Sequence, residues 1–86
     1  DSKKITPSFW MKDMRFPIDI VWIANNKIVS INKNVPIPKK DTLDNKLPKY
    51  KPTSPIDYVV EVNANFCDKY DIKVGDDVSL TAIFPM

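Results

Sequence analysis

YVVEVNANFCDKYDIKVGDDVSLTAIF, residues Tyr58 to Phe84, is the stretch whose reading decides the fold. Its first part has the two-residue period of a strand: Tyr58, Val60 and Val62 lie on one face, Val59 and Glu61 on the other. A helix start follows, because Asn63 or Asn65 can cap the free amides of a first turn. Asp68 suits the positive end of the helix dipole, and Phe66 and Tyr70, four apart, share a helical face. The helix is short, about two turns at most, since residues Asp71 to Gly75 read as an exit. Gly75, the only glycine in the chain, is expected where φ must be positive. The carboxylate of Asp76 can bond backbone amides of the same turn. A final strand is expected from Val78 to Phe84, with Val78, Leu80, Ala82 and Phe84 alternating with Ser79, Thr81 and Ile83.

Outward from this stretch, the remaining strands lie toward the N-terminus. Ser8–Lys12 is a strand candidate, with Phe9 and Met11 on one face and Trp10 and Lys12 on the other. Asp13–Pro17 turns the chain, and Pro17 suits a strand start because it cannot donate to a ladder. Ile18–Ile23 is apolar on both faces and is therefore expected to be the central strand. Asn25-Asn26 is a two-residue hairpin signal, since asparagine tolerates the left-handed region that a type I′ turn needs. Lys27–Asn32 returns, with Val29 and Ile31 expected inward and Ser30 and Asn32 outward. Lys33–Asp57 shows no clean period and carries five prolines. It is an unusually long excursion for a small domain, held to the body by Ile37, Leu47 and Tyr50.

The chain has 86 residues, 43% of them hydrophobic and 28% charged, which fits one small globular domain with a modest core. Eight prolines against one glycine favour extended segments and stiff loops over helix. The expected class is α+β, mostly β: a small, mainly antiparallel, barrel-like sheet with one short helix and a long proline-rich loop. A net charge of +2 is too mild to point to nucleic acid. No run is long enough for a membrane span. With no histidine and one cysteine, the chain lacks ligands for zinc or iron–sulfur sites and the base of a serine or cysteine triad. Asp76-Asp77 is too short a cluster for a calcium loop. No metal or cofactor is expected. Cys67 cannot form an internal disulfide and reads as a buried, inert thiol.

The Ile72-Lys73-Val74-Gly75-Asp76-Asp77-Val78 turn resembles the Gly-Asp box of small β-barrels. Three longer stretches, Phe9-Trp10-Met11-Lys12-Asp13-Met14, Phe16-Pro17-Ile18-Asp19-Ile20 and Ser54-Pro55 with Tyr58-Val59-Val60-Glu61-Val62-Asn63-Ala64, are similar to the core motifs of the family called domain of unknown function 192. The resemblance runs from Phe9 to Val78. It implies a prokaryotic, mostly antiparallel barrel-like fold with one helix and no assigned reaction or ligand. It also implies an extracytoplasmic location, because members often follow a signal or lipoprotein segment. Members usually carry a further segment before the first of these motifs. The chain is therefore expected to be the C-terminal portion of a larger domain, with an open sheet edge that invites self-association. Many members also place a cysteine pair in the loop, where this chain has Pro36-Ile37-Pro38.

Lys12, Asp19 and Glu61 are the ionisable residues on otherwise apolar strands. A carboxylate at Asp19 is costly unless paired or hydrogen-bonded. One reading is a small polar site: Asp19 as base or anchor, Lys12 as anion partner, Trp10 as a stacking wall, with Tyr50 and Glu61 nearby. The other is structural, with Asp19 accepting backbone amides to hold a loop. The expected function is a non-catalytic module that binds a small polar or carbohydrate-like ligand or a partner chain. Two rivals are an acid–base enzyme acting on a sugar through Asp19 and Glu61, and a nucleic-acid binder on a Gly-Asp box barrel.

Overall fold

The computed structural model describes residues 4–79. Its strands are β1 (Phe9–Trp10), β2 (Ile18–Ala24), β3 (Lys27–Val35), β4 (Lys49–Tyr50) and β5 (Tyr58–Asn63). One helix, α1, covers Phe66–Lys69, and a 3-10 turn covers Asp44–Lys46. All strand pairings are antiparallel. Among the described residues they form a three-stranded sheet in the order β3-β2-β5 and a two-stranded ribbon of β1 and β4. The fold is mostly β, as the sequence implies; among the described residues there is one short α-helix, and the two sheets do not join into a closed barrel.

β2 is central because both of its faces are apolar, and every residue in it is buried. Ile18, Ile20 and Trp22 point into one interior with Met11, Val35 and Ile56, and Phe9, Val59 and Tyr50 pack on its margin. Val21 and Ile23 point into a second interior with Ile28 and Cys67, flanked by Val60, Val62, Ile72 and Val78. Burying each of these isoleucines contributes roughly 1.5–3 kcal/mol relative to exposure. Trp22 is fully buried, and its indole N–H donates to Asn32 Oδ1 at 2.7 Å. Phe9 meets the Trp22 ring edge-on, with centroids 5.5 Å apart.

The Asn25-Asn26 turn forms as expected: both residues have positive φ, 53° and 62°, and Ala24 pairs with Lys27. β3 departs from simple alternation. Its register against β2 slips between Trp22 and Ile23 and again between Ile18 and Ile20. Each slip leaves one extra residue on β3, the signature of a β-bulge. Val29 is the first, and it packs on the first interior while Ile31 packs on the second. The expectation that Val29 and Ile31 share a face is therefore corrected. Ser30, expected outward, is buried opposite Trp22. The second slip spans Asn34, whose φ of 52° is left-handed.

The long excursion is less irregular than its composition suggests. β3 extends to Val35, and β4 returns to pair with β1, Phe9 opposite Tyr50 and Trp10 opposite Lys49. Leu47 is buried and pins the loop, whereas Ile37 is exposed and does not. α1 is a single turn; Asn65 precedes it with φ 73° and makes no side-chain cap bond, so its contribution is the left-handed backbone rather than the carbonyl cap expected of it. Gly75 has φ 96°, and Lys73 N–H donates to Asp76 Oδ2 at 2.9 Å, as the turn reading requires. Val78 N–H donates to the Asn26 carbonyl at 2.8 Å. The remainder of the expected last strand, from Leu80, lies outside the described residues.

Candidate functional site

Asp19 is fully buried on the face of β2 that looks toward α1. Its Oδ1 accepts the Asn34 backbone N–H at 2.8 Å and its Oδ2 accepts the Cys67 N–H at 2.9 Å. Burial pushes the carboxyl pKa up, but the donors outweigh it and hold the group below its ordinary value. Asp19 therefore ties the left-handed residue of β3 to the first turn of α1. Cys67 is equally buried, and burial, followed by the adjacent carboxylate, pushes its thiol up to about 11. A thiol in that state is protonated at neutral pH and a poor nucleophile.

Lys12 and Glu61, expected as neighbours of Asp19, are not. Glu61 pairs with Ile20 on β2, whereas Asp19 pairs with Val62. Successive residues of a strand point to opposite faces, so the two carboxylates are on opposite sides of the sheet. They cannot flank one scissile bond, and the paired-carboxylate arrangement is removed by this geometry. Lys12 donates to Asp44 Oδ2 at 2.8 Å, and this hydrogen bond, with the attendant charge, raises its pKa above the ordinary lysine value.

The ribbon of β1 and β4 separates its side chains by face. Phe9 and Tyr50, both half-buried, turn inward and pack against the first interior. Trp10 and Lys49 turn outward. Trp10 is 43% exposed, less than Phe16, Tyr58 and Tyr70 elsewhere in the chain. The ammonium groups of Lys12 and Lys49 lie 5.4 Å and 5.8 Å from its ring centroid, within cation–π range. Two shallow depressions are lined by residues of this group. One, of about 290 Å³, is lined by Ser8, Trp10 and Lys49. The other, of about 230 Å³, is lined by Lys12, Lys39 and Lys40 and equally by Asp13, Asp41 and Asp44, so its charge is balanced. Lys12 belongs to the second and reaches over Trp10 of the first.

Lys49 was not marked by sequence reasoning. The signal was present: Lys49-Tyr50-Lys51 stands between Pro48 and Pro52, a short alternating segment that can pair with Phe9-Trp10. Asn34 was missed because its contribution is a backbone amide, which no side-chain pattern reveals. A third depression, of about 420 Å³, opens on the second interior and is lined only by apolar residues, among them Val21, Val60, Val62 and Val78. Among the described residues, no group of three or more acidic or cysteine side chains is placed to hold a metal ion. No helix there is long and apolar enough to cross a membrane.

A family model, that of domain of unknown function 192, described as "Uncharacterized ACR", matches residues 2–80. The chain belongs to the DUF192 family. No match was found among curated proteins. Two solved structures resemble this DUF192 chain. One is a protein of unknown function from Novosphingobium aromaticivorans, with 25% identity and a TM-score of 0.72 over 88% of this chain and 50% of that one. The other, from Sinorhizobium meliloti, is named as a candidate transcription regulator; identity is 25% and the TM-score 0.70, over 87% of this chain and 54% of that one. The chain thus spans about half the length of the solved structures it matches.

Proposed function

We propose that this DUF192 chain is a non-catalytic binding module whose contact surface is the outer face of the β1–β4 ribbon. One observation carries the reading: an exposed indole, Trp10, with two ammonium groups, from β4 and the segment after β1, within cation–π range of its ring. An exposed aromatic ring offers a flat apolar platform, and polar groups around it give orientation. A small polar or carbohydrate-like ligand fits that combination. The placement of Asp19 and Glu61 on opposite faces supports binding over acid–base catalysis. The test is a two-dimensional NMR titration of the chain with a panel of monosaccharides, oligosaccharides and small polar compounds. Ligands are expected to shift the indole N–H of Trp10 and its neighbours, and to lose affinity in Trp10→Ala. Binding that shifts only residues of the second interior, or none anywhere in the panel, overturns the reading.

A second reading, self-association, is favoured by the edges of the larger sheet. Among the described residues β5 has a strand neighbour on one side only, and the outer side of β3 meets the Gly75–Asp76 turn at Ile28. Unpaired edges recruit strands from other chains. Sedimentation equilibrium is expected to show a dimer or higher species at high concentration, and a strict monomer counts against it. The regulator name belongs to the Sinorhizobium protein. For this chain the +2 net charge gives little phosphate attraction, and no retention on DNA at low salt is expected.

A further inference from the structure

We infer that residues 80–86, Leu-Thr-Ala-Ile-Phe-Pro-Met, close the apolar groove over the second interior, lying across it as an extended strap. The groove, of about 420 Å³, is on the face of the central sheet turned away from the β1–β4 ribbon, so it is separate from the Trp10 surface. That interior is unfinished on one side. Val60, Val62, Ile72 and Val78 in its walls are only half-buried, and Phe66 is exposed. Among the described residues its lining offers no polar group. Sites for small molecules combine apolar walls with a few placed polar groups that fix orientation. Walls with none fit an apolar stretch of chain.

Three features point to this chain's own end as that stretch. The first is position. Val78 is both a wall of the groove and the residue whose N–H donates to the Asn26 carbonyl at 2.8 Å, next to the bridge between Asp77 and Lys27. Whatever follows Ser79 therefore starts at the rim. The second is reach. Seven extended residues span roughly 23 Å, and crossing the three strands of the sheet takes roughly 10 Å. The third is chemistry. Residues 80–86 carry no charged side chain, in a chain that is 28% charged, and Thr81 is their one polar residue. The two-residue period puts Leu80, Ala82 and Phe84 on the side of Val78, toward the groove, and Thr81 and Ile83 on the other. A segment tethered at the rim also acts at an effective concentration of the order of millimolar, ahead of a second copy at ordinary dilution.

The test is NMR on the full chain, in an equal mixture of carbon-13-labelled and unlabelled protein, which separates contacts within a chain from contacts between chains. Nuclear Overhauser contacts within one chain, from the Phe84 ring to the methyl groups of Val60 and Val62, are expected. Contacts seen only between chains overturn the strap and make a second copy the occupant. No contact from residues 80–86 to the groove overturns it as well. Two substitutions of equal charge add a second reading. Phe84→Asp should lower the melting temperature by about 6 °C or more and raise the fluorescence of an apolar dye such as anilinonaphthalene sulfonate. Thr81→Asp, on the outward side, should shift it by no more than about 2–4 °C. Equal shifts, or no shift from Phe84→Asp, overturn the strap. Should Phe84→Asp fail to fold, the contacts read on the native chain decide alone.

Discussion

The carboxylate of Asp19 accepts the backbone N–H of Cys67, 48 positions later in the chain, at 2.9 Å, deep inside the protein. Its second oxygen takes the Asn34 N–H at 2.8 Å. One side chain thus fixes the end of β3 and the start of α1 to the central strand. Asp19→Asn preserves volume but leaves one amide facing an NH₂ group instead of an oxygen. A stranded buried donor costs about 1–3 kcal/mol. Urea denaturation should show a loss of that size, and a change below half a kilocalorie contradicts the role given to Asp19.

The same carboxyl makes stability depend on acid. Its pKa in the folded protein lies below its ordinary value of 3.8. The unfolded chain therefore binds the proton first on descending pH. The stabilisation is complete above the unfolded value, near about 4, and is lost as pH falls through the lower folded value. Denaturation midpoints measured down the acid range should fall more steeply for the native sequence than for Asp19→Asn.

Cys67 should be silent toward a thiol reagent such as dithionitrobenzoate in the folded protein. It is fully buried and its pKa is raised to about 11. Labelling should track unfolding in denaturant, and fast labelling under native conditions contradicts the packing.

The two tryptophans predict opposite outcomes. Trp22→Ala removes a fully buried ring and its bond to Asn32, and should cost about 3–5 kcal/mol. Trp10→Ala removes a half-exposed ring on the outside of the ribbon and should change stability by no more than about 0.5 kcal/mol. Thermal melts of the two variants, together with iodide quenching of the native protein, check both statements.

Gly75→Ala isolates a backbone effect. No atom lies within 4 Å of where a Cβ would stand, so crowding is absent. The φ of 96° remains, and an L side chain there costs about 1 kcal/mol or more. A neutral substitution implies that the turn relaxes to another conformation.

Much of this architecture was legible in the residues themselves. The two-faced apolar run Ile18–Ile23 announced a central strand, Asn25-Asn26 announced its hairpin, and the lone glycine announced a left-handed turn. What escaped was whatever depends on a slipped register. Ser30 and Ile31 follow a strict alternation on paper, but the extra residue at Val29 reverses the faces beyond it. That bulge comes from tertiary fit to β2 and leaves no mark in residue type. The polar site split for a related reason. Asp19 and Glu61 look alike in sequence, but the pairing of β2 with β5 places them on opposite sides of the sheet. Trp10 and Lys12 were marked from alternation alone, whereas Lys49 depended on a long-range pairing across the proline-rich loop.

β2 is a party wall. Ile20 and Trp22 belong to one room and Val21 and Ile23 to the other, and a single backbone carries both. Neither room can come apart while the other persists, so heating should give one sharp transition rather than two. The ring of Trp22 reports on the first room and the thiol of Cys67 on the second, and the two signals should share a midpoint.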